Sequence, residues 1–137
     1  MLYYCVRYVI QHKGGSMNFE FNNNVPIYVQ IVEQLKIHII SGKIKPGGRL
    51  PSVRELALML KVNPNTLQKA LQELEEIKLI YTERTNGKFV TENQKLINKY
   101  KNEYALELSK KYLDNMEQID FKLNDTIKYL KELGGKE

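Results

Sequence analysis

Apolar residues recur at helical spacing through the middle of the chain, and the period breaks only where cap and turn residues stand. Ile27, Tyr28, Ile31, Val32, Leu35 and Ile39 predict a helix over Ile27–Ser41, opened by Pro26 and closed by Gly42. Lys43 to Pro51 is too rich in Pro and Gly to continue it and reads as a tight loop. A second helix follows, with Val53, Leu56, Ala57 and Leu60 on one face and Ser52 and Glu55 spaced as a capping box. Lys61, Val62 and Asn63 leave room for only a short turn. Asn63 then supplies a cap oxygen and Pro64 the first position of a third helix, where a missing N–H does no harm. That helix turns Leu67, Ala70, Leu71, Leu74 and Ile77 inward and Asn65, Thr66, Gln68, Lys69 and Gln72 outward. Two short helices joined so tightly predict a helix-turn-helix.

Beyond it the period shortens to that of strands. Leu79 to Arg84 and Lys88 to Thr91 are dominated by β-branched and aromatic residues, with Asn86-Gly87 between them as a hairpin turn whose two positions both favour positive φ. The hairpin predicts a wing. Residues 92–137 return to helical spacing in two stripes: Leu96, Tyr100, Tyr104, Leu108 and Tyr112, with Ile97 and Ala105 beside them, then Ile119, Leu123, Ile127 and Leu130. So small a unit does not bury both stripes by itself. The same pair from a second chain is the expected cover, and packing back onto the winged part in a monomer is the alternative. The expected fold is mainly α with a small β-hairpin wing: a winged helix-turn-helix over 17–91 and a two-helix dimerisation tail over 92–137.

Composition adds three constraints. With 42% apolar residues in 137, the chain holds a modest core rather than a disordered one. The net charge of +5 is uneven: residues 26–91 carry ten Lys/Arg against six Asp/Glu, whereas 92–137 carry nine of each. The excess base therefore lies with the helix-turn-helix, as a phosphate footprint requires. One cysteine, Cys5, and two separated histidines, His12 and His38, offer no disulfide framework or metal cluster within the chain, and His38 between Ile37 and Ile39 reads as a structural residue. No run approaches the roughly 18 apolar residues of a membrane span, so a cytoplasmic protein without membrane contact is expected. Residues 1–16 resemble nothing that follows and end just before Met17. Lys13-Gly14-Gly15 can be encoded by a purine-rich stretch like a ribosome-binding site, and the segment reads as an over-extended start or a leader; a β-prone arm is the alternative.

The outward face of the third helix carries the chemistry. Asn65, Thr66 and Gln68 can bond base edges, and Lys69 can bond bases or phosphates. Arg84, Thr85, Asn86, Gly87 and Lys88 crowd the wing, where they could meet phosphates or enter a minor groove.

Pro-Ile-Tyr-x-Gln-Ile at 26–31, Gly-Gly-Arg-Leu-Pro-Ser-Val-Arg-Glu-Leu-Ala at 47–57, Val-Asn-Pro-Asn-Thr at 62–66 and Phe-Val at 89–90 together resemble the GntR family of bacterial repressors, and the short two-helix tail is similar to its YtrA-like branch. The resemblance implies a homodimer on a double-stranded DNA operator, often autoregulation, and transporter genes as targets. It also places Arg54 where the family contacts DNA from the helix before the recognition helix, and Asn63, Asn65, Thr66 and Gln68 on recognition-helix positions. Arg49 and Ser52 flank Arg54 and complete the expected interface. Two departures stand out: Pro64 replaces an arginine of many relatives, and Thr85-Asn86-Gly87 replaces the common Gly-x-Gly wing tip.

No paired carboxylates, activated nucleophile, phosphate-binding loop or cofactor motif appears, so neither an enzyme nor a cofactor is expected. The remaining alternative is a winged helix used as a protein-interaction module, against which Arg49, Arg54, Lys69 and Lys88 argue by charge. A small-molecule effector, unidentified by the sequence, would have to sit at the dimer interface or between tail and wing.

Overall fold

The computed structural model describes residues 21–135; the expected leader over 1–16, with Cys5 and His12, lies outside the described residues. In chain order come α1 (Ile27–Ile40), α2 (Val53–Leu60), α3 (Pro64–Glu76), β1 (Ile80–Glu83), β2 (Gly87–Val90), α4 (Gln94–Gln118) and α5 (Leu123–Gly134). This is the mainly helical architecture with a hairpin wing that the hydrophobic pattern predicts. Two compact units divide within α4, one ending at Ile97 and the other starting at Asn98.

In the first unit α3 is the central element and packs on α1, α2 and β1. Ile31, Leu35 and Ile39 of α1, Leu56 and Leu60 of α2, and Leu67, Leu71 and Leu74 of α3 are buried together with Leu79, Ile80, Val90 and Ile97. Burying each such side chain stabilises the fold by about 1.5–3 kcal/mol. His38 is buried in the same core, with its Nδ1 2.8 Å from the Gln34 carbonyl oxygen.

The helix ends follow local rules. The forward half of the predicted box is present, the Ser52 Oγ accepting the Glu55 N–H at 3.1 Å, and the Asn63 Oδ1 accepts the Asn65 N–H at 2.8 Å. At the other end of α2, Lys61 adopts φ +56°, the Val62 N–H bonds the Ala57 carbonyl and the Lys61 N–H that of Leu58. This is a Schellman turn, and it sets the angle at which the chain enters α3. Lys78 (φ +67°) ends α3 in the same way, with Leu79 N–H on the Leu74 carbonyl.

Two expectations about the wing change. β1 and β2 are antiparallel with Glu83 opposite Gly87, so the connection is three residues, Arg84-Thr85-Asn86, closed by the Asn86 N–H on the Glu83 carbonyl. Of Asn86 and Gly87 only Gly87 has positive φ, at +104°. The sheet also gains a third edge from the segment that the sequence predicts as a tight loop. Gly47 N–H bonds the Val90 carbonyl, Val90 N–H that of Gly48, and Leu50 N–H that of Lys88, with Arg49 bridging Phe89. Gly47 takes φ +74° there, in the left-handed region that favours glycine.

The second unit also departs from its expected stripes. Asp120 at φ +65°, with Phe121 N–H on the Met116 carbonyl, stops α4, so Ile119 lies in the turn and not on the last helix. Tyr100, Tyr104, Leu108 and Tyr112 are half-buried, while Leu123, Ile127 and Leu130 are exposed. Leu106 and Leu113, outside the predicted stripe, are exposed as well, and α5 buries only Thr126.

Candidate nucleic-acid interface

Asn65 and Gln68 stand exposed on the first two turns of α3, with Thr66 half-buried between them. The cap hydrogen bond occupies one lone pair of the Asn63 side-chain oxygen and leaves its amide donors available. Arg54 is exposed on α2 two residues after the Ser52 cap, whose hydroxyl proton is likewise not used in accepting from Glu55. Lys69 is constrained in a way its sequence position does not disclose: its Nζ lies 3.8 Å from the centroid of the Tyr28 ring, a cation–π contact joining α3 to α1. The hydrophobic pattern places Tyr28 only on an apolar stripe.

At the wing, Arg84, Thr85 and Asn86 are exposed, and the Asn86 Nδ2 donates to Glu83 Oε2 at 3.2 Å. The third edge brings Arg49 to this tip, where a Cβ on Gly87 would lie 3.4 Å from the guanidinium Nε. Lys88 is turned the other way. Its Nζ donates to Glu75 Oε1 of α3 at 3.1 Å and to Thr82 Oγ1 at 2.8 Å, while the Thr82 hydroxyl donates to the same carboxylate. Burial opposes ionisation of Glu75, but the bonds from Thr82 and Lys88 and the lysine charge outweigh it and hold the carboxyl below its ordinary value of 4.5. Glu75 is half-buried and paired. The signal for it is nonlocal, because Glu75, Thr82 and Lys88 meet only when the hairpin folds back on α3.

Gln30 is a further residue whose role the sequence hides. Its Oε1 accepts the Asn22 N–H at 2.7 Å and its Nε2 donates to the carbonyls of Asn22 and Val25, pinning the segment that leads into α1 beside Tyr28.

Residues 27–90 match the family model of bacterial regulatory proteins, gntR family. Over 115 residues the chain is 30% identical to the uncharacterized HTH-type transcriptional regulator YhcF of Bacillus subtilis, covering 84% of this chain and 95% of that protein. The chain belongs to the GntR family. It is accordingly a transcriptional regulator with a helix-turn-helix DNA-binding domain, and not an enzyme. The HTH-type transcriptional repressor YtrA of Bacillus subtilis is 48% identical over 73 residues, 53% of this chain and 56% of that repressor. Among solved structures, a GntR family transcriptional regulator from Listeria monocytogenes superposes with a TM-score of 0.77 at 38% identity, covering 82% of this chain and 98% of that one. The DNA-binding domain of AraR, solved in complex with operator ORX1, matches 56% of this chain and 96% of its own with a TM-score of 0.50 at 28% identity.

In this GntR-family chain Arg54 on α2, Asn65 and Gln68 on α3, and Arg49 and Arg84 at the wing are exposed polar or cationic side chains of the first unit. Among the described residues no group of three or more His, Cys, Asp or Glu side chains is placed to hold a metal, and no helix is long and apolar enough to cross a membrane.

Proposed function

We propose that this protein is a repressor that binds an inverted-repeat operator as a homodimer, residues 17–91 reading DNA and residues 92–137 pairing two chains. The observation that carries the reading is the exposed start of α3, where Asn65 and Gln68 project from a helix entered through a Schellman turn, together with the exposed cations Arg54, Arg84 and Arg49 of the same unit. Asn, Gln and Arg are the side chains that bond base edges bidentately in a major groove. Asn63, Thr66 and Lys69 extend this surface, and Ser52, Thr85, Asn86 and Gly87 border it. AraR, with its DNA-binding domain held on an operator, supports the same use of the fold here.

The dimer is supported by the tail. Leu106, Ile119, Leu123, Leu130 and Leu133 are each at least half exposed in the single chain, an apolar surface that one chain leaves open to water. Two recognition helices related by a two-fold axis then read half-sites about 34 Å apart. The resemblance to YtrA-like repressors points to transporter genes, beside its own, as the regulated operon.

Fluorescence anisotropy of the protein starting at Met17, against DNA from its own promoter and a scrambled duplex, tests this at two salt concentrations. Preference for the promoter, saturating at two chains per site, is expected. Equal affinity for the two duplexes, or saturation at one chain, would remove the operator reading or the dimer respectively.

A further inference from the structure

The Glu75–Thr82–Lys88 group joins three elements that a DNA reader must hold in register. Glu75 lies in the last turn of α3, Thr82 in β1 and Lys88 in β2, with Thr82 and Lys88 directly opposite one another. Both hairpin residues converge on one oxygen, Glu75 Oε1. The side chains of Lys88 and Glu75 are only 21% and 31% exposed, so the pair is poorly screened.

Glu75 stands with Glu73 and Glu76 at the end of α3, and a carboxylate there has the wrong sign for a neighbouring phosphate. We propose that Glu75 is a specificity-setting residue that withholds Lys88 from DNA, so that phosphate contacts at the wing come from Arg84 and Arg49. The proposal rests on the DNA-binding reading above. If Lys88 turned to a phosphate, Glu75 would be left as a half-buried carboxylate near the DNA backbone, and the lysine would lose its bond to Thr82. Both changes oppose the exchange. Kept in place, the pair is neutral one step below the wing tip, and a cation there adds nothing to sequence-independent affinity. The tip differs, since Arg49 and Arg84 are exposed.

The test compares wild type, Glu75→Gln, Lys88→Gln and the double variant, each titrated with a mixed-sequence duplex over a range of salt. Glutamine keeps one acceptor oxygen for Thr82 and removes the charge. Each phosphate contact contributes about 0.9 to the slope of log affinity against log salt. Glu75→Gln is expected to bind this duplex more tightly and steepen the slope by about one, Lys88→Gln to keep the wild-type slope, and the double variant to return to it. A slope about one shallower in Lys88→Gln, with no change in Glu75→Gln, would show that Lys88 leaves Glu75 for phosphate and overturn the proposal. A purely structural role for the pair would not move the slope at all, and that result overturns it as well. Urea denaturation of the same four proteins without DNA measures the coupling between the two side chains. Absence of coupling refutes the pairing itself. Retained coupling in a wild type that binds neither this duplex nor its promoter would reject the DNA-binding reading, and the proposal with it, while leaving the ion pair intact.

Discussion

Lys61, Lys78 and Asp120 show how single residues set where helices stop. Each takes positive φ without being glycine, and each is followed by an N–H that bonds a carbonyl five residues back. A left-handed conformation costs an L-residue about 1–2 kcal/mol, part of which glycine returns as lost chain entropy. Lys61→Gly and Lys78→Gly are therefore expected to stabilise the fold by about 0.5–1 kcal/mol each, read as a higher urea midpoint at unchanged slope. Glu75 makes a prediction about acid. Its carboxyl titrates lower in the folded protein than its ordinary 4.5, so it binds fewer protons folded than unfolded, and the stability it adds is present above that value and lost as pH falls through the folded value. Denaturation as a function of pH should show wild type losing stability below about pH 4.5 more steeply than Glu75→Gln.

At the scale of elements, the α2–α3 turn and the wing place the proposed reading surface. The α2–α3 turn was visible in the chain because its signals are local: Ser52, Asn63 and Pro64 act on their own backbone or on amides two or three residues away. The third sheet edge was not visible, since Pro46, Gly47 and Gly48 carry a loop signature, and the pairing of Gly47 and Gly48 with Val90 and of Leu50 with Lys88 spans about forty positions. That edge is what carries Arg49 to the wing tip. Arg54, exposed on α2, has the simpler prospect. If it bonds a base bidentately, Arg54→Ala costs about 1–3 kcal/mol per half-site on the operator and much less on a scrambled duplex, as gel shifts against both would show. An equal loss on both would make it a phosphate clamp.

For the whole molecule, the decisive feature is apolar surface left over. Leu130 is 50% and Leu133 84% exposed in a chain whose α5 buries only Thr126. Leu130→Asp is expected to shift the protein from dimer to monomer in size-exclusion chromatography with light scattering, leaving the first unit folded. Operator affinity should then fall about a hundredfold or more, because the second half-site is no longer held at high effective concentration. A variant that stays dimeric would place the interface elsewhere than on this face of α5.

By itself the sequence determined the helices of the first unit, the caps at Ser52 and Asn63, the helix-turn-helix and the family to which the chain belongs, since each is written within a few residues and rests on propensity, capping and hydrophobic period. Only the tertiary structure decided what the charged and aromatic side chains do. Tyr28 under Lys69, Glu75 against Lys88, Gln30 holding Asn22 and Arg49 beside Gly87 are all pairings across elements. The period of a helix says which way a side chain leaves the axis, but not what will be there to meet it. Lys88 and Arg84, four residues apart with the same charge, end in different surroundings, one against a carboxylate and one at an exposed tip, because the fold brings α3 to one side of the hairpin.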